Sequence, residues 1–149
     1  MKFFLLFFIL IVSCSEPSIY DLRLKDLQGR EFSFSELKGK PFIVYVWSGT
    51  CVGHVEDLKN LSSIYPSLGG GVKVISVALM MDREDVNKVF NKNGIKPSYP
   101  VLTDPKGVLA DKVTLVFLPA TLVFNERGEL VENYPKLPRR LFPLIPAHE

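Results

Sequence analysis

The sequence predicts an α/β domain: a central mixed β-sheet flanked by helices, with a β-hairpin at the N-terminal edge. Three observations lead there. Phe42–Trp47 is an uninterrupted apolar run rich in β-branched and aromatic residues, and Val72–Leu79 is a second, mostly apolar run rich in β-branched residues. They are too short for core helices and read as strands buried on both faces. Between them, Val55, Leu58, Leu61, Ile64, Tyr65 and Leu68 recur at helical spacing. Strand, helix and strand in that order imply parallel pairing through a right-handed crossover.

The remaining elements follow in chain order. Tyr20–Lys25 alternates, with Tyr20, Leu22 and Leu24 on one side and Asp21, Arg23 and Lys25 on the other. Gln28-Gly29 turns the chain, and Glu31–Phe34 returns as a second short strand. Ser35 to Gly39 reads as a single helical turn closed by glycine. The helix after Trp47 is expected to run from Cys51 to about Leu68 and to end at Gly69–Gly71. That glycine triplet precedes a strand, so it is a loop and not a phosphate cradle. Asp82 is a good N-cap for a helix over Arg83–Asn93, which Gly94 stops. Pro100–Leu102 is a short strand, 107–112 a helical turn, Ala120–Asn125 a long strand, and Glu129–Tyr134 its hairpin partner. Pro135, Pro138, Pro143 and Pro146 leave no room for a long helix at the end.

The chain has 149 residues, enough for one domain with a real core. Formal net charge is +2, and it becomes +1 without Lys2, the one charged residue of the first thirteen. Basic residues are scattered among acids, which argues against a nucleic-acid partner. Met1-Lys2 precedes ten apolar residues, Phe3 to Val12, too few to span a bilayer. A basic start, a short apolar run and a small residue before a cleavage point read as a secretory signal over residues 1–13. The run Ile11-Val12-Ser13-Cys14 resembles a bacterial lipobox. That resemblance implies acylation of Cys14 and a lipid-anchored protein of the bacterial cell envelope, facing the extracytoplasmic space. Residues 14–19 then form a tether, 20–134 the domain, and 135–149 a proline-rich tail.

Four segments together resemble the thioredoxin-like TlpA/ResA group within the AhpC/TSA-related superfamily. They are YDLRLKDLQGREFSFSELKGK at 20–40, PFIVYVWSGTC at 41–51, VLTDPKG at 101–107 and LPATLVFNERGELV at 118–131. The resemblance implies a thioredoxin-like fold and thiol-disulfide chemistry on protein thiols or disulfides. It places Cys51 on the family's nucleophilic cysteine and His54 on its resolving cysteine, giving Cys-x-x-His in place of Cys-x-x-Cys. Thr50 replaces the tryptophan before the motif, Asp57 falls near an acid the family often keeps, and Pro119 matches a cis-proline that faces the site. Trp47 reads as a core aromatic beside it, and the family's C-terminal helix is shortened or lost.

Cys51 at a helix start is expected to be more acidic than an ordinary thiol, because unpaired N–H groups there favour negative charge. His54, three residues on, shares its helical face and would favour thiolate if protonated or act as base if neutral. One thiol cannot form an intramolecular disulfide, so a monothiol route needs an external thiol reductant. Two other readings stay open. The first is a redox-inactive binding or metallochaperone-like protein, with Cys51 and His54 as two of its ligands, beside Met80, Met81 and the distant His148. Two ligands do not make a closed site, and no metal or other cofactor is implied. The second is a one-cysteine peroxidase, although position 44 of its expected Pro-x-x-x-Thr-x-x-Cys signature is valine.

Overall fold

The computed structural model describes residues 9, 11–12 and 15–141. Cys14 and His148 therefore lie outside the described residues. The strands are β1 (Arg23–Asp26), β2 (Glu31–Ser33), β3 (Phe42–Trp47), β4 (Lys73–Leu79), β5 (Val101–Asp104), β6 (Ala120–Phe124) and β7 (Leu130–Tyr134). The helices are α1 (His54–Ile64), between β3 and β4, and α2 (Arg83–Asn93), between β4 and β5. No helix among the described residues is long and apolar enough to cross a membrane.

The seven strands form one mixed sheet in the order β2-β1-β5-β4-β3-β6-β7. β3, β4 and β5 are parallel, and β6 runs antiparallel to β3. Both parallel crossovers step the same way across the sheet, so right-handed connections place both helices on one face. That face buries Tyr45, Trp47, Leu58, Leu61, Val86 and Phe90 together. Among the described residues the opposite face has no α-helix. Two 3-10 turns, Ile19–Asp21 and Phe34–Leu37, cover it with Ile19, Phe34 and Leu37, and the turn Val108–Asp111 adds Leu109.

β3 and α2 match their expected bounds residue for residue. Asp82 caps α2 in a full capping box: its carboxylate accepts from Asp85 N–H at 2.9 Å, and the Asp85 carboxylate accepts from Asp82 N–H. Gly94 takes the left-handed conformation that ends the helix. The first strand is displaced, because Ser18 accepts from Tyr20 N–H and coils Ile19–Asp21 into a turn before β1 begins. The chain beyond Tyr134 also packs against the domain. Leu137 and Leu141 are buried on the α1 face, and Thr121 Oγ1 donates to Lys136 O at 2.9 Å.

Asp82→Ala should cost about 1 kcal/mol of stability, the usual worth of an N-cap. A thermal melt monitored by circular dichroism checks it, and an unchanged midpoint would mean that packing alone holds α2.

Candidate active site

β3 delivers the chain to Cys51. Its six residues are all buried, and it pairs with β4 on one side and β6 on the other. Beyond Trp47 the backbone bends back on itself, and Cys51 N–H donates to Ser48 O at 3.2 Å. The half-buried thiol is held by the same residue: it donates to Ser48 O at 3.0 Å and accepts from Ser48 N–H at 3.5 Å. The exposed Thr50 closes the bend through a 3.1 Å contact between its hydroxyl and that of Ser48. β6 starts beside the end of β3, with Ala120 opposite Val46, and the peptide before it, Leu118–Pro119, is cis. Register therefore sets Pro119 beside the strand end that leads to Cys51.

The helix begins at His54 and not at Cys51. Gly53 adopts φ +90°, a left-handed conformation that suits glycine, and it separates the thiol bend from α1. This corrects the expectation of an acidic thiol. Burial pushes the thiol up from its ordinary value. The N–H groups of Ser48 and Cys51 pull the other way, while the charge of Asp57 adds to the rise.

His54 is buried, and its Nδ1 lies 2.7 Å from Cys51 O. A carbonyl only accepts, so Nδ1 carries a proton and donates. The ring stacks on Trp47 at 5.4 Å between centroids and 9° between planes. Trp47 stacks in turn on Phe90 at 5.9 Å and donates from its indole N–H to Ser76 Oγ at 2.9 Å. His54 is thus fixed at two points and braces the Cys51 backbone. Among the described residues, the thiol's own hydrogen bonds go to Ser48.

Asp57 is buried on the first turns of α1. Its Oδ2 accepts from Tyr45 OH at 2.8 Å and from Leu137 N–H at 3.1 Å. Burial and the Asp57 charge push the Tyr45 phenol far up, so Tyr45 stays protonated and donates. Sequence reasoning missed Tyr45, Ser48, Ser76 and Leu137. A phenol inside the run FIVYVW was a usable signal, because a buried hydroxyl needs a partner. Leu137 contributes only a backbone N–H, which no side-chain pattern announces.

Two depressions flank the Cys51 bend and share Gly49, Lys88 and Val89. One, of about 430 Å³, is walled by Ser48, Thr50, Met80 and Met81; the other, of about 330 Å³, by His54 and Lys92.

The AhpC/TSA family matches residues 17–133, most of the chain. The chain belongs to the AhpC/TSA family. Among relatives in sequence, the thiol-disulfide oxidoreductase ResA of Halalkalibacterium halodurans is 26% identical over 110 residues. The sporulation thiol-disulfide oxidoreductase A of Bacillus subtilis is also 26% identical over 110 residues. These alignments take in 73% and 72% of this chain but 61% and 66% of those relatives' own lengths. Among solved structures, the exposed lipoprotein thioredoxin of Streptococcus pneumoniae superposes with a TM-score of 0.65 at 23% identity. That superposition covers 77% of this chain and 88% of the other, and it assigns the fold as thioredoxin-like. Within the AhpC/TSA family the ResA likeness places the chain in the thioredoxin-like TlpA/ResA group, as its motifs predict.

Asp57→Asn keeps an acceptor for Tyr45 and Leu137 but removes a charge that disfavours thiolate. The alkylation midpoint of Cys51 should therefore fall toward the ordinary thiol value, but only in part, because burial is the larger cause. Linkage gives a second check. The folded thiol deprotonates at higher pH than the unfolded one, so between the two the native state binds more protons. Its contribution to stability is complete below the ordinary thiol range and is lost as pH rises through the folded value. Denaturant midpoints across alkaline pH should drop less in Cys51→Ser than in the parent.

Proposed function

We propose that this protein is a membrane-anchored, extracytoplasmic thiol-disulfide oxidoreductase that works by a monothiol route through Cys51. The observation that carries this reading is a half-buried free thiol held by Ser48 beside cis-Pro119, with an imidazole in place of a second thiol. The relatives named thiol-disulfide oxidoreductases support the reaction class, and the pneumococcal protein named a lipoprotein supports the anchor on Cys14.

The chemistry follows from one sulfur. The Cys51 thiolate attacks a disulfide sulfur of a protein substrate; a bond from Cys51 Sγ forms, the substrate disulfide breaks, and the departing sulfur takes up a proton. A thiol supplied from outside attacks the substrate sulfur of the mixed disulfide, and Cys51 leaves as the thiol. A second external thiol then attacks the resulting substrate–external mixed disulfide, freeing the second substrate thiol and forming the external disulfide. The substrate disulfide gains two electrons, and two external thiols are oxidised over the cycle. Thr50, Asp57, Trp47 and Pro119 shape this site, and His54 braces the Cys51 carbonyl.

The raised Cys51 pKa favours one competing reading, a redox-inactive binding protein. Incubating the reduced protein with a disulfide-bonded peptide separates the two. Mass spectrometry should find a peptide adduct on Cys51 that persists until an external thiol is added. No adduct even at alkaline pH would leave the binding reading. His54→Cys restores a second thiol three residues from the first. It should release the adduct without external thiol and leave an internal Cys51–residue-54 disulfide.

A further inference from the structure

The chain enters the domain at the end of the sheet opposite Cys51. Tyr20, in the turn capped by Ser18, packs 6.4 Å from the ring of Phe42, the first residue of β3. Its hydroxyl donates to Glu126 O at 3.1 Å in the β6–β7 turn, and the Lys38 ammonium lies 5.5 Å from its ring centre. Cys51 follows the other end of the same strand. A six-residue strand separates the two ends by about 16 Å.

The Phe42 end also carries a groove of about 420 Å³ lined by Lys38, Lys40, Lys73, Tyr65 and Gly70, with Glu36 its one acid. Lys40 and Lys73 are exposed. The ion pairs among the described residues, Arg23–Glu31, Arg30–Asp26 and Lys88–Glu84, use none of the three lysines. In the neighbouring turn, Glu126 and Arg127 are both exposed and offset one another. The groove is therefore a site of net positive charge with glycine backbone in its wall.

We propose that this groove docks anionic phospholipid headgroups and seats the domain on the bilayer with Cys51 turned toward the aqueous space. The proposal rests on the lipid-anchor reading above for the tether that brings the groove to the membrane. Ser15, Glu16 and Pro17 are exposed, and from Cys14 to Ser18 the chain spans at most about 14 Å. An anchor that short holds the Tyr20 end within reach of the surface potential, which decays over about 8 Å. Anchor and groove share one end of the molecule, so lipid contact and thiol chemistry do not compete.

Full-length protein extracted from bacterial membranes tests this. It is mixed with vesicles of phosphatidylcholine alone or of phosphatidylcholine with phosphatidylglycerol, and amide hydrogen exchange is followed. The expected result is protection at Gly39–Lys40 and Gly70–Lys73 on the phosphatidylglycerol vesicles only, reversed by salt, with none at Val52–His54. Lys40→Gln with Lys73→Gln should raise the phosphatidylglycerol needed for half protection by roughly 25-fold, at about a factor of five per lysine. Lys88→Gln with Lys92→Gln, on the Cys51 side, should leave it unchanged. Equal protection on both vesicles, protection at Val52–His54, or equal sensitivity to both lysine pairs overturns the docking site. The mass of the N-terminal peptide reports on the anchor separately. Unmodified Cys14 with phosphatidylglycerol-dependent protection removes the anchor and keeps the groove, whereas acylated Cys14 without protection does the reverse.

Discussion

The double-sided pairing of β3 governs the rest of the molecule. Every residue of that strand is buried, all six are registered against β4 and Phe42 to Val46 against β6 as well, so its direction cannot drift without breaking two ladders. Its last residues fix Trp47 against Ser76 on β4, and its register with β6 fixes cis-Pro119 beside the Ser48 bend. Its alternation sends Tyr45 and Trp47 to the α1 face, one to hold Asp57 and the other to stack on His54. Four of the residues around the thiol are thus positioned by one six-residue segment.

That segment is also why so much of the fold was legible. A strand buried on both faces must be apolar at every position, and FIVYVW can satisfy little else. The α2 boundaries were readable for a similar reason, since Asp82, Asp85 and Gly94 act on the backbone locally. Legibility failed where a tertiary contact overrode a local pattern. Helical spacing of apolar residues carried the expected helix back to Cys51, but Gly53 interrupts it. Tyr20 alternates correctly for a strand, yet the Ser18 cap and the packing on Phe42 take it into a turn.

At the site, the identity of the residues was more legible than their state. Cys51, His54, Asp57, Trp47 and Pro119 all lie around the end of β3 or the start of α1. Their electrostatics depend on what surrounds them in three dimensions. Asp57 in sequence looks like an acid on an amphipathic helix; in the fold it is covered by Tyr45 and by the backbone of Leu137. The segment around Leu137 occupies the side of α1 without being a helix, because its prolines forbid one while its leucines still bury. Asp57 is thus covered by a non-helical segment, through the backbone N–H of Leu137.

The raised thiol and the missing second cysteine act in the same direction on the proposed reaction. A thiol pushed up by burial is a scarce thiolate near neutral pH, but each thiolate formed is a stronger nucleophile. The same property makes Cys51 a poor leaving group once it is bound to a substrate sulfur, because departure rates fall as leaving-group pKa rises. In a dithiol protein the neighbouring cysteine overcomes this by its high local concentration. Here that position holds an imidazole fixed to the Cys51 carbonyl and to Trp47, so nothing internal attacks the bond. On the proposed monothiol route, a scarce thiolate and a poor leaving group would together make the mixed disulfide slow to form and slow to resolve. Catalysis and capture are then two regimes of one site, divided by the concentration of the external thiol.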